Sequence, residues 1–285
     1  MHSDRLRGSA VWRAITQVAK EHDRIQGAHN KAIRLVPRAE LKRRRAVKVL
    51  HGHKPDGSLF TEADSATQDA LAAALSTIKN VPVLGEEMTE QQQHDAWNAG
   101  REGLWCVDPI DGTSNFVAGV PYFAVSVAYL YKGERMLGVV YDPIADEMFS
   151  AERGCGAFLN GQPLPLRTPA TELRRALAGV EMKRIDRALA GRLAAWPPYA
   201  SQRNFGASTL DWCYTAAGRF DIYVHGGQKL WDYAAGALIL EEAGGRLSSL
   251  TGSFDIANVW ERSVVASASP ELFVLWRDWL KVAGA

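Results

Sequence analysis

The stretch Trp105-Cys106-Val107-Asp108-Pro109-Ile110-Asp111-Gly112-Thr113-Ser114-Asn115-Phe116 constrains this chain more than any other. An apolar run ends in two aspartates three residues apart, with proline between them and Gly-Thr after them. The pattern predicts a strand ending in a stiff, anion-walled turn. Proline fixes φ and offers no amide donor, and Gly112 lets backbone approach a ligand closely. Two carboxylates held so close repel each other unless a cation sits between them. Carboxylate and carbonyl oxygens are hard ligands that suit Mg²⁺, Mn²⁺ or Ca²⁺. Alone, the motif is also compatible with a turn in which one Asp caps the next helix and the other is solvated.

Further acids follow the same logic elsewhere. Val81-Pro82-Val83-Leu84 runs into Gly85-Glu86-Glu87, a second apolar strand ending in acids. Asp56-Gly57-Ser58-Leu59-Phe60-Thr61-Glu62-Ala63-Asp64 leads into a helical run, and Trp231-Asp232-Tyr233-Ala234-Ala235-Gly236 opens an apolar helix. Taken singly, Asp64 and Asp232 also read as helix-capping residues. Glu86, Asp108, Asp111 and Asp232 together supply enough carboxylates for a pair of divalent cations about 3.5–4 Å apart.

With these four segments in this order, the chain closely resembles the inositol monophosphatase family of metal-dependent phosphatases, over roughly residues 54–245. The resemblance implies an α/β fold, a five-layer αβαβα sandwich of the inositol monophosphatase and fructose-bisphosphatase type. It implies one domain over 1–285, with an N-terminal lobe to about 165 holding most metal ligands and a C-terminal lobe from about 166. It also implies residue roles. Glu86, Asp108 and the carbonyl of Ile110 match a first Mg²⁺ site. Asp108, Asp111 and Asp232 match a second, with Asp108 bridging; two or three ions are expected, and Mn²⁺ is an alternative. Thr113 matches the hydroxyl that orients water, Asp64 its carboxylate partner, and Glu86 belongs with them as catalytic. Gly112 and Thr113 would cradle phosphate through their amides.

On the substrate side, Asn204, Gly206 and Ser208 match the loop bordering the substrate alcohol. His225 stands where animal-type relatives carry a polyol-binding glutamate. That departure allows two readings, a substrate contact whose imidazole charges near pH 6.5, or a strand-end histidine bonded to backbone. Gln68 is a second departure, standing where many relatives carry glutamate. The implied activity is hydrolysis of a small polyol or sugar phosphate, inositol monophosphate first. Histidinol phosphate, fructose 1,6-bisphosphate and 3′(2′),5′-bisphosphate nucleotides are alternatives, and a non-catalytic phospholigand-binding regulator is the reading outside enzymes. A homodimer is also implied.

Bulk properties bound the rest. Net charge is +1, and no 18-residue apolar run is present, so neither nucleic-acid nor membrane binding is expected. The first residues lack the apolar core of a signal peptide. Three cysteines are too few and too scattered for a disulfide framework, so a cytoplasmic protein is expected. Cys106, beside the aspartates, reads as core. Residues 8–50 read as helical, broken at Pro37. Arg38, Lys42, Arg43, Arg44, Arg45 and Lys48 make a basic segment, either a solvated helix face or an approach for an anionic partner. Residues 51–58 read as a turn-rich connection, and 90–100 as a polar surface helix and loop. Strands are expected near 122–131, 136–141, 147–151, 156–159, 178–181, 220–224 and 264–268. Asn160-Gly161 reads as a hairpin turn. Helices are expected near 62–79, 186–196, 207–217, 231–243 and 270–282.

Overall fold

The computed structural model describes residues 51–53, 59–252, 254 and 259–281. The expected N-terminal helices, the basic segment and residues 54–58 of the acidic lead-in lie outside the described residues. In chain order the elements are β1 (His51–His53), β2 (Leu59–Thr61), α1 (Glu62–Ile78), β3 (Val83–Gly85), α2 (Glu90–Ala99), β4 (Leu104–Asp111) and α3 (Thr113–Ala118). Then come β5 (Ala124–Tyr131), β6 (Glu134–Asp142), β7 (Glu147–Glu152), β8 (Ala157–Leu159), β9 (Gln162–Pro163), β10 (Leu177–Glu181) and α4 (Arg187–Ala195). The chain continues through β11 (Ser201–Arg203), α5 (Ser208–Ala216), β12 (Ile222–Gln228), α6 (Leu230–Glu242), β13 (Arg246–Ser248), β14 (Arg262–Ser267) and α7 (Pro270–Lys281).

Two sheets organise these elements. One has seven strands in the order β3-β4-β5-β6-β7-β8-β9, and the other five in the order β11-β10-β12-β14-β13. Three apolar cores show how they stack. Leu71 and Leu75 of α1 pack on Trp105, Val107 and Val127 on one face of the large sheet. Its other face shares a core with Trp212 of α5, the apolar run of α6, and Tyr223, Val264 and Ala266 of the small sheet. Leu189 and Leu193 of α4 and Trp276 of α7 cover the far side of the small sheet. The layers therefore run helix, sheet, helices, sheet, helices, as the αβαβα expectation required. Between the sheets α6 is buried almost all round, as a helix apolar on every face must be. Gly236 permits this, since a Cβ there would lie 2.4 Å from Cβ of Trp212.

Several expectations are corrected. β4 does not stop before the aspartates; it runs to Asp111, with a register shift between Asp108 and Asp111 opposite β5. Proline lacks a ladder donor, and an irregularity is where a strand tolerates one. Residues 51–53 are a strand paired antiparallel with β2, rather than only a turn. The strand expected at 220–224 begins at Ile222 and extends to Gln228, irregular between His225 and Gln228. In α2, Gln93 is buried within the polar run. The Asn160-Gly161 turn is as expected, with φ of 48° and 84°.

Candidate metal-dependent active site

The site forms where β4, β3 and the amino ends of α1, α5 and α6 converge. Asp108 is 1% exposed, and its Oδ1 accepts from the Ile110 amide at 3.1 Å. Asp111, at the end of β4, accepts from Thr209 N and Thr209 Oγ1 of α5, each at 2.6 Å, and from Ser208 Oγ at 3.5 Å. The N-cap residue of α5 is Ala207, which offers no side-chain cap. A carboxylate from the other sheet takes that place and fixes α5 to β4. Asp232 is in the first turn of α6, and its Oδ2 accepts from Lys229 N at 2.8 Å. It thus caps its own helix and joins the cluster, so the two readings of this residue are compatible.

Carboxylate oxygens of Asp108, Asp111 and Asp232 lie within 4.8 Å of one another. Glu86, directly after β3, hydrogen-bonds Asp108 through its side chain. Such a concentration of anions without counter-charge raises proton affinity. Burial, then Glu86, Asp111 and Asp232, push the Asp108 carboxyl well above its usual range. Burial, partly offset by the Thr209 hydrogen bonds, raises Asp111 to about 6. Burial with Asp111 and Glu86 raises Asp232 to about 8. These acids are stable together only when protons or cations share the site. Hard oxygen donors at this spacing fit a divalent cation such as Mg²⁺.

Gly112 has φ 91° and opens α3, so the amides after it face outward as at other helix starts. A Cβ at this position would lie 3.1 Å from the Tyr122 carbonyl. Thr113 Oγ1 lies 3.1 Å from the Ile110 carbonyl and 3.4 Å from Asp64 Oδ1. The fully buried Asp64 is anchored by its other oxygen, which accepts from Thr61 N at 2.7 Å and Thr61 Oγ1 at 2.6 Å. This capping box leaves Oδ1 aimed at Thr113, so capping does not prevent Asp64 from facing the acid turn.

Of the substrate-side residues, Asn204 is exposed and donates Nδ2 to Glu181 Oε2 at 3.1 Å. Gly206 has φ 79°, and its carbonyl lies 3.4 Å from where a Gly112 Cβ would sit. His225 is 6% exposed, and its Nδ1 accepts from the Gly227 amide at 3.1 Å. Burial and the Arg184 charge lower its pKa to about 3. The expected charging near pH 6.5 is therefore corrected: the imidazole stays neutral because its surroundings exclude water.

Some supporting residues escaped sequence reasoning. Asn115 Nδ2 donates to the Tyr122 carbonyl at 2.8 Å and the Phe205 carbonyl at 2.6 Å, stapling the metal turn to the 204–206 loop. Gln93 Nε2 faces the carbonyls of Gly85, Glu86 and Met88 at 3.2–3.3 Å. Gln68 Oε1 accepts from the Glu87 amide at 2.9 Å, so the glutamine at this departure braces the segment carrying Glu86. Asp211 is buried beside Asp111 and accepts from Tyr122 OH at 3.2 Å; burial and Asp111 raise its pKa well above normal. Asn115, just after the Asp-Gly-Thr triplet, and Gln68, noted as a departure, carried a signal in sequence, but their partners Phe205 and Glu87 are far away in the chain; Gln93 and Asp211 carried none. Cys106 is core, as expected.

Buried acids close enough to share a cation, with the Thr113 hydroxyl and the start of α3 on the same turn, fit a metal-dependent hydrolase site. Comparison with known proteins names the group. The inositol monophosphatase family model matches residues 20–277. Nus factor SuhB of Pseudomonas aeruginosa is 39% identical over 203 residues, covering 68% of this chain and 73% of that protein. Inositol-1-monophosphatase of Mesorhizobium japonicum is 35% identical over 218 residues, covering 75% and 79%. The crystal structure of extragenic suppressor protein suhB from Bartonella henselae aligns with TM-score 0.77 and 28% identity, over 96% of this chain and 99% of that one. The chain belongs to the inositol monophosphatase family, and it is a metal-dependent phosphoric monoester hydrolase. Among the described residues no helix is long and apolar enough to cross a membrane.

Proposed function

We propose that the chain hydrolyses the phosphate monoester of a small polyol, inositol monophosphate first, with Mg²⁺ as the working ion and Mn²⁺ as an alternative. The observation that carries this is the convergence of Asp108, Asp111 and Asp232 beside Glu86 and the Thr113 hydroxyl. Glu86, Asp108 and the Ile110 carbonyl would hold one cation, and Asp108, Asp111 and Asp232 another. Bound divalent cations supply Lewis acidity, lowering the pKa of water and offsetting phosphoryl charge.

The chain's own groups do the rest. Amides of Gly112 and Thr113 orient the phosphoryl oxygens. Thr113 Oγ1, held between Asp64 and the Ile110 carbonyl, orients the attacking water and passes its proton toward Asp64 Oδ1. The water oxygen bonds to phosphorus as the P–O ester bond breaks; the leaving oxygen takes the bond's electron pair and a proton from solvent to depart as the alcohol, and Asp64 returns its proton to solvent. Asn204, Gly206, Ser208 and His225 bound the alcohol side. Histidinol phosphate, fructose 1,6-bisphosphate and bisphosphate nucleotides are the alternative substrates, and a cytoplasmic homodimer acting on a free metabolite is the proposed setting.

A second reading has one observation in its favour: the Pseudomonas relative is named as a Nus factor, not for a reaction. The intact acid set favours catalysis in this chain. Phosphate release across these esters, in Mg²⁺ and in EDTA, tests the proposal. Mg²⁺-dependent release with inositol monophosphate ahead supports it; higher kcat/KM on a bisphosphate would transfer the activity to that substrate.

A further inference from the structure

β10 and β12 run parallel, and their register sets Glu181 beside His225. Both residues point to the α5 side of the sheet. Tyr223, two before His225, packs edge-on against Trp212 of α5, whereas Val180 and Val224 belong to the outer core under α4 and α7. Alternation along the strands then places Glu181 and His225 on the inner face. They stand at the carboxyl ends of adjacent parallel strands, where open α/β sheets bind ligands.

The two side chains differ in what they can offer. His225 is buried, with Nδ1 already accepting from Gly227. Glu181 is half-buried, and each oxygen is held by one donor, Oε1 by the Lys183 amide at 2.6 Å and Oε2 by Asn204 Nδ2 at 3.1 Å. An ionised carboxylate has about four lone-pair directions, so two donors orient it and leave acceptor capacity for a ligand. Three cations of the neighbouring segments are turned to other partners. Arg184 donates to the Gly227 carbonyl, Arg203 to Ser201 Oγ and the Gln202 carbonyl, and Lys229 pairs with Glu261. Glu181 also lies on the approach to the reacting turn. Its partner Asn204 is two residues from Gly206, whose carbonyl packs against Gly112.

We propose that Glu181, oriented by Asn204, is the specificity-determining acceptor for hydroxyl groups on the alcohol half of the substrate, and that it favours neutral polyol esters over esters with a second phosphate. Hydroxyls donate to a fixed carboxylate with good geometry, while a second phosphate meets like charge there and is disfavoured. His225, its Nδ1 already taken by the Gly227 amide, walls the same side without supplying that acceptor. This assignment rests on the phosphomonoesterase reading above.

The test is steady-state kinetics of wild type, Glu181→Ala, Glu181→Gln and His225→Ala in saturating Mg²⁺. The substrates are inositol monophosphate, fructose 1,6-bisphosphate and p-nitrophenyl phosphate. Glu181→Ala should raise KM for inositol monophosphate about tenfold, as expected for lost hydrogen bonds to a charged group, with kcat nearly unchanged. KM for the bisphosphate should fall, and p-nitrophenyl phosphate should be unaffected. Glu181→Gln keeps an acceptor without charge, so it should restore most of the inositol monophosphate KM while leaving the bisphosphate favoured. Equal losses on all three esters, or an unchanged KM ratio, would overturn the assignment while turnover of p-nitrophenyl phosphate keeps the hydrolase reading intact. A selective effect from His225→Ala but not from Glu181→Ala would overturn it too. No Mg²⁺-dependent turnover of any ester by wild type would defeat the hydrolase reading and this assignment together.

Discussion

The proposed reaction side of the site and its proposed alcohol side are held by different kinds of contact. On the reaction side most acids are anchored by a neighbour in sequence: Asp108 by the Ile110 amide, Asp232 by the Lys229 amide, Asp64 by Thr61. On the alcohol side Glu181 and His225 also have a local anchor each, in the Lys183 and Gly227 amides, but further contacts join segments far apart. Asn115 reaches Phe205, Asn204 reaches Glu181, and Glu181 meets His225 only through strand register. The difference separates two jobs. Short-range anchoring fixes the acids to the backbone that presents them, so chemistry is set locally. Long-range contacts make substrate choice depend on how the two sheets and their loops are assembled.

The strongest way to break the reaction side is Asp108→Asn, which keeps shape and removes the charge placed between Glu86, Asp111 and Asp232. Turnover in saturating Mg²⁺ should fall about a hundredfold or more. The cation-free protein should melt at a higher temperature than wild type, because a repelled charge is gone. Wild-type turnover would remove Asp108 from the site. Next comes Thr113→Ala, which should lower kcat by more than about tenfold with little change in the Mg²⁺ requirement, as for an interaction made mainly in the transition state. A raised Mg²⁺ requirement at normal kcat would make Thr113 a metal-site residue instead.

Asn115→Asp probes the join between the two sides. Its amide nitrogen has two hydrogens, and each has a carbonyl partner; the isosteric carboxylate has no donor and faces the same two oxygens. KM for inositol monophosphate should rise several-fold, about 1 kcal/mol of lost positioning, with faster amide exchange in the 204–206 loop. Unchanged exchange there would show that the staple does not hold the loop.

The smallest expected effect is on stability against pH in EDTA. Asp111 and Asp232 titrate at about 6 and about 8, above the ~3.9 of an unfolded aspartate. The folded chain therefore holds protons that the unfolded chain has lost, and their stabilisation is lost as pH rises from about 4 through 8. His225, at about 3 against ~6.5 unfolded, has the opposite sign but acts only below about 6.5. The melting temperature should thus drop by a few degrees between about pH 6.5 and 8.5, and excess Mg²⁺ should remove the drop. A flat profile in EDTA would contradict the clustering of these acids.

The same contrast explains what the sequence revealed. The acid cluster was legible because strand-end acids and Gly112 are local patterns with direct physical meaning, whereas the five-layer order came through the family resemblance that those segments carry. The end of β4 was misplaced because proline in an apolar run reads as a stop, whereas the ladder accommodates it with a register shift. Gln93 was hidden because a run of glutamines looks solvated, and only packing decides which one turns inward. His225 looked like a titrating group because burial by neighbours distant in the chain has no local signature. Glu181 drew no notice because nothing in sequence sets residue 181 beside residue 225.

The measurement that bears most directly on the separation of the two sides is the ratio of kcat/KM for inositol monophosphate to that for p-nitrophenyl phosphate, taken for wild type, Asp232→Asn and Glu181→Ala in saturating Mg²⁺. Asp232→Asn should lower both values together and leave the ratio near that of wild type, whereas Glu181→Ala should lower the ratio and spare p-nitrophenyl phosphate. A ratio shifted by Asp232→Asn, or p-nitrophenyl phosphate turnover lost in Glu181→Ala, would contradict the account.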